Sequence, residues 1–211
     1  MGLAIQLLPL HPPGRVWYLT ESGNELVQVQ HDRIVHNWRR QAEEAYPRYD
    51  TLRPAFFADV EDLVAFVADG GRGTPTVVQA ELTYVNPIPM AQLGESRDMA
   101  ELLAPWSGTY SDAFLPISED LRINARYRMT DPASAAPVGR LYVEGAPVLH
   151  QTTPSAEPEE TYLLQLYARG RPLGEGVASA FAFLDLGHDW IVRGFTSMTT
   201  TTMHDAWGRR D

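Results

Sequence analysis

The stretch Gln28 to Arg40, QVQHDRIVHNWRR, leaves this chain few ways to fold. Two alternating runs meet at His31-Asp32, so the segment reads as two antiparallel strands joined by a tight turn. A two-residue loop sets the register: Gln30 faces Arg33, Gln28 faces Val35 and Leu26 faces Asn37. The opposite face then gathers Val27, Val29, Ile34, His36 and Trp38 as the side toward a core. A slip of one residue would turn that apolar set to water, so the pattern specifies its own pairing.

The same alternation recurs along the chain. Val16 to Thr20 reads as a strand that turns through residues 21–24 into the hairpin. Leu52, Phe56, Val60, Leu63, Val64 and Val67 recur at helical spacing, and Gly70-Gly71 ends that helix. Val77 to Asn86 alternates again, and Pro87 and Pro89 are expected to stop it. A short helix at about Asp98 to Ala104 precedes a strand at Leu121 to Met129. There Ile123, Ala125, Tyr127 and Met129 alternate with Arg122, Asn124, Arg126 and Arg128. Strands follow near Arg140 to Val143 and Tyr162 to Ala168. Pro/Ala/Ser-rich pieces at Asp131 to Pro137 and Thr152 to Pro158 read as mobile loops. Val177, Phe181, Leu184, Ile191 and Phe195 mark a closing helix, broken at Thr199 to Thr202 before a short turn ending in Trp207.

This order predicts an α+β fold: one antiparallel sheet of about seven strands, helices on one face and a long C-terminal helix. The repeated order of elements predicts a single domain over 1–211, built from pseudo-repeated halves at about 15–75 and 76–211.

Composition bounds the function. A net charge of −10 and a pI near 5.0 argue against non-specific nucleic-acid binding and fit a protein that masks a basic partner. All 17 basic residues are arginine, which removes Schiff-base chemistry on lysine. The absence of cysteine removes disulfides, thiolate nucleophiles and thiolate metal ligands together. The apolar run Gly2 to Leu10 lacks a basic leader and is too short to span a bilayer, so a cytoplasmic protein without membrane association is expected.

Candidate binding residues lie mostly on the polar sides of the strands. Gln28, Gln30, Arg33, Asn37, Gln79, Glu81, Thr83, Arg122, Asn124, Arg126 and Arg128 share one sheet face in this reading. Arginine forks and amides there suit carboxylates, phosphates or peptide backbone, although an ordinary solvated sheet face alternates in the same way. In the loop Tyr46-Pro47-Arg48-Tyr49, Arg48 and Tyr49 have the composition of an interaction hot spot, or of a staple onto the following helix. The working set is therefore Gln28, Gln30, Arg33, Asn37, Arg48, Tyr49, Glu81 and Arg126. The histidines follow neither HExxH nor an i,i+4 pairing, so no metal site is expected. Ser107 and Ser179 lack a nucleophile-elbow context, and the glycine clusters do not make a phosphate loop, so no cofactor is expected.

The strings ELVQVQHDRIVHNWRR, YPRY, AELTYVN, LGHDWIVRGFTSMTT and MHDAWGR resemble an uncharacterised, sporadically distributed bacterial protein family, over about Arg15 to Arg210. The resemblance implies no activity; by analogy it implies a conflict system of the toxin–antitoxin or anti-phage type. Two departures stand out: an apparently shortened N-terminus, and Pro87 where the family pattern places histidine after Asn86. Taken together, the expectation is an acidic protein-interaction module with a protein partner, or one completed as a homo-oligomer. The alternative is an enzyme or small-ligand binder with a polar cleft between the sheet and the C-terminal helix, using Arg33, Asn37, Glu81 and His188.

Overall fold

In the computed structural model, residues 14–40, 47–112, 114–151 and 156–209 are described. They belong to two compact units, Met1–Pro75 and Thr76–Asp211, each with its own sheet.

The first unit is a three-stranded meander followed by a helix. Strands β1 (Val16–Leu19), β2 (Glu25–Val29) and β3 (Ile34–Trp38) pair antiparallel in the order β1-β2-β3. The hairpin register is the expected one: Gln28 opposes Val35, Leu26 opposes Asn37, and the Gln30 amide donates to the Arg33 carbonyl at 2.8 Å. Helix α1 (Tyr49–Asp69) ends at Gly70 and meets this sheet at His36. The His36 side chain is only 6% exposed. Its Nε2 lies 3.2 Å from Glu25 Oε2 on β2, and its ring meets the edge of Phe56 on α1 at 5.8 Å. Its Nδ1 stands 3.5 Å from Asp59 Oδ2, an ion-pair distance without a hydrogen bond.

The second unit holds a four-stranded antiparallel sheet of order β4-β7-β6-β5, made from β4 (Ala80–Pro89), β5 (Ile123–Thr130), β6 (Pro137–His150) and β7 (Glu159–Gly170). Strand β4 runs through Pro87 and Pro89 instead of stopping before them. As an edge strand it pairs only with β7, so a missing N–H can face away from the ladder. The loop expected at 131–137 is present as a hydrogen-bonded turn ahead of β6. Asp131 accepts from the Ala133 amide at 3.0 Å and from the Ser134 hydroxyl at 2.6 Å, and Ala135 takes a positive φ of 57°. These bonds, Ser134's first, hold the Asp131 carboxyl below the usual range.

One face of this sheet is the core. Leu141, Val143, Leu164, Leu166, Ala168 and Met129 point inward against helix α3 (Gly176–Met198), which contributes Phe183 and Ile191. Helix α2 (Met99–Leu102), capped by Asp98 through the Ala100 amide at 2.8 Å, closes one end of that core. Thr199 pairs with Leu103 as an isolated bridge, and Thr200 caps helix α4 (Thr201–Ala206), so the threonine run breaks one helix and starts the next.

Among the described residues, seven strands in an α+β arrangement are thus present, but in two sheets, not one. Alternation tells which face of a strand is apolar and leaves its neighbour open. Here the three early strands satisfy one another, and β4 is claimed by β7. Among the described residues, no helix is long and apolar enough to cross a membrane.

Candidate functional site

Among the described residues, the second face of the four-stranded sheet carries no helix from its own unit, and the ladder register assembles its side chains into rows. In one row Glu81 of β4 opposes Arg169 of β7, which opposes Arg140 of β6, which opposes Arg128 of β5. The next row runs Thr83, Tyr167, Tyr142, Arg126, and the third Val85, Gln165, Glu144, Asn124. All four arginines of these rows are exposed.

The first row is electrostatically unusual. Like charges directly opposite on neighbouring strands are destabilising, and here three arginines stand in line. Among the described residues only the one beside β4 is compensated: Arg169 forms a charge-assisted hydrogen bond to Glu81, which raises its already high pKa. Among the described residues, Arg126, Arg128 and Arg140 have no carboxylate within 4 Å. A chain of net charge −10 therefore concentrates unpaired positive charge on one sheet face.

The tyrosines define the middle of the face. The rings of Tyr142 and Tyr167 stack at 4.5 Å with 5° between their planes. That spacing matches the roughly 4.8 Å between neighbouring strands, so the rings stand on edge with the stack running across the strands. The Arg169 guanidinium lies 5.5 Å from the Tyr167 centroid and 6.0 Å from that of Tyr142. The Tyr167 hydroxyl donates to Glu144 at 2.9 Å; burial first, then this bond, raises its pKa. A shallow hollow of about 370 Å³ next to the stack is lined by Arg122, Asn124, Glu144, Ala146, Leu163 and Gln165.

The expected site residues divide between the two units. Glu81 and Arg126 lie on the arginine–tyrosine face, with Thr83, Asn124 and Arg128. Gln28, Gln30, Arg33 and Asn37 belong to the other sheet, so they do not share a sheet face with Glu81 or Arg126. Gln28 is flanked by Trp17 and Val35, and Asn37 pairs with Leu26 next to Leu19. That side of the hairpin is thus mixed rather than polar. Arg33 is engaged inside the turn, its Nε and Nη2 donating to Asp32 at 3.1 and 2.9 Å, which holds the Asp32 carboxyl below its usual range. Arg48 is the N-cap residue of α1 and Tyr49 its first helical residue, which makes them parts of a helix start; Tyr46 lies outside the described residues.

Arg140, Tyr142 and Tyr167 were not among the expected residues. Tyr142 and Tyr167 alternate with apolar neighbours in LYVEG and LQLYAR, a legible signal for orientation. Their adjacency depends on β6 pairing with β7, which no local pattern encodes.

The space between the sheet and α3 is filled by Phe183, Ile191, Leu166 and Leu141, with Glu81 on the far side of the sheet. The polar contact of that layer is Tyr84 to His188, Oη to Nδ1 at 2.9 Å. Thr199 Oγ1 lies 2.7 Å from both the Phe195 carbonyl and His204 Nε2, joining the ends of α3 and α4. Among the described residues, no group of three or more acidic or histidine side chains is placed to hold a metal ion.

No protein-family model, no curated protein and no solved structure matches the chain.

Proposed function

We propose that this chain is a protein-interaction module, working in the conflict or regulatory setting implied by the resemblance, and that its binding surface is the uncovered face of the four-stranded sheet. The observation that carries this reading is the row Arg128–Arg140–Arg169 with a carboxylate at only one end. Opposed arginines cost stability in the free protein and return it when an anionic partner sits over them. Exposed guanidinium forks around an aromatic centre have the composition of an interface hot region. The expected masking of a basic partner by an acidic chain gives way, at this face, to the capture of an acidic one.

Purification of the tagged chain from its native host tests the reading. A protein partner should elute with it in fixed stoichiometry and dissociate at about 1 M salt, where screening acts within about 3 Å. The variant Arg128→Glu/Arg140→Glu should lose that partner while melting as the wild type does. Retention of the partner by the variant, or a chain that elutes alone, would refute the assignment of this surface.

A further inference from the structure

We infer that the occupant of this face is an extended acidic segment of a partner protein, added as a fifth strand along the free edge of β5; the inference rests on the reading of the face given above. Strand β5 ends the order β4-β7-β6-β5, and β6 is its neighbour in the ladder. An edge strand presents backbone donors and acceptors to any extended segment that reaches it. The side chains along this edge state which segment that is. Arg126 and Arg128 in β5, and Arg122 just before it, are exposed at even positions on the outer side, with Asn124 between them. Same-side residues on a strand repeat every ~7 Å, so an added strand with Asp or Glu at alternate positions sets its carboxylates opposite these guanidiniums. The row Glu81–Arg169–Arg140–Arg128 then ends in a carboxylate at both sides instead of one.

The inner side of the same edge asks for a different residue. Ala125 is half-buried there, and Tyr127 is 42% exposed with its hydroxyl on Met198 Sδ at 3.6 Å. An added strand places its other alternate side chains beside these groups, which suits small or β-branched apolar residues. The segment recognised is therefore acid–apolar–acid–apolar. A single-stranded nucleic acid, the other polyanion, fits poorly. Its bases need ring faces to stack on, and Tyr142 and Tyr167 stand on edge with one face of each spent on the other.

The probe is a fluorescein-labelled peptide matched to the eight residues of β5, with glutamate alternating with valine or threonine, titrated against the full chain by anisotropy. Three competitors accompany it: the glutamine analogue, an analogue with proline at the apolar positions, and a short oligothymidylate. The acidic peptide should bind at least about tenfold tighter than each competitor, as strand addition needs both charge and backbone pairing. Arg126→Gln/Arg128→Gln should abolish binding without lowering the melting temperature, since it relieves the opposition of Arg128 to Arg140. Equal binding of the proline analogue or of oligothymidylate would overturn the proposal, and so would no binding at all. Dimerisation of the chain that this variant abolishes, read by sedimentation, would overturn it in favour of a second copy on the edge. In each of those cases, loss of the host partner in Arg128→Glu/Arg140→Glu would still uphold the face as a binding surface, so the two failures are separable.

Discussion

Phe183 is fully buried, and its ring lies over two glycines, Gly139 and Gly170, that oppose each other across β6 and β7. A β-carbon on Gly170 would meet Phe183 Cε2 at 2.5 Å and Cζ at 2.6 Å, and would also press on the Val138 carbonyl oxygen. The ring is held by α3 and the carbonyl belongs to a paired strand, so neither can rotate away. Overpacking a close-packed core costs about 1–3 kcal/mol, and a backbone obstacle places Gly170→Ala at the upper end, about 3 kcal/mol. For a chain of this length that is a fall in melting temperature of roughly 6–12 °C. Phe183→Ala alone should cost about 3–5 kcal/mol by leaving a cavity. In the double variant the new methyl group enters the space the ring has left, so the combined cost should fall short of the sum by about 1–2 kcal/mol. Urea and thermal denaturation of the four proteins measure this cycle. A Gly170→Ala shift below about 2 °C, or costs that add within about 0.5 kcal/mol, would show that the helix does not seat on the glycine pair.

Two further outcomes follow from single buried groups. Tyr162 is fully buried, its hydroxyl has no hydrogen-bond partner among the described residues, and burial pushes its pKa up to about 12. Between pH 10 and about 12 the unfolded chain releases this proton and the folded chain keeps it, so stability falls as pH rises through that window, by about 3 kcal/mol in total. Tyr162→Phe should be about 1 kcal/mol more stable at neutral pH and should lack this alkaline loss; parallel pH profiles in urea denaturation would contradict it. His36→Ala removes the group that stands between Glu25 and Asp59 and leaves those carboxylates without it. Loss of this charge-assisted contact should cost about 1.5–3 kcal/mol and speed hydrogen exchange along α1, whereas unchanged protection there would argue that the helix is held by its apolar contacts alone.

The hairpin shows what local pattern can decide. His31-Asp32 as a two-residue loop leaves one register, and the observed pairs are the ones that loop demands. The same logic placed His36 on the side that meets α1, and α1 before Gly70. Arg33 shows where it stops: its place on the polar side was legible, but its capture by Asp32 depends on the conformation of one turn. The continuation of β4 through its two prolines also escaped it, because a proline ends a strand only where a neighbour needs its N–H, and neighbours are not written in the strand.

By itself the amino-acid sequence determined the order of strands and helices, the register of the β2–β3 hairpin, the exclusion of cysteine and lysine chemistry, and the alternating arginines of β5. These depend on periodicity and residue type, which are properties of short segments. The tertiary structure decided that seven strands divide into two sheets, and that Arg128, Arg140 and Arg169 stand in one row beside a stacked tyrosine pair. Those juxtapositions join residues up to some forty positions apart, and strand pairing over such distances is set by the summed packing of a whole core, here that of β7 between β4 and β6 beneath α3.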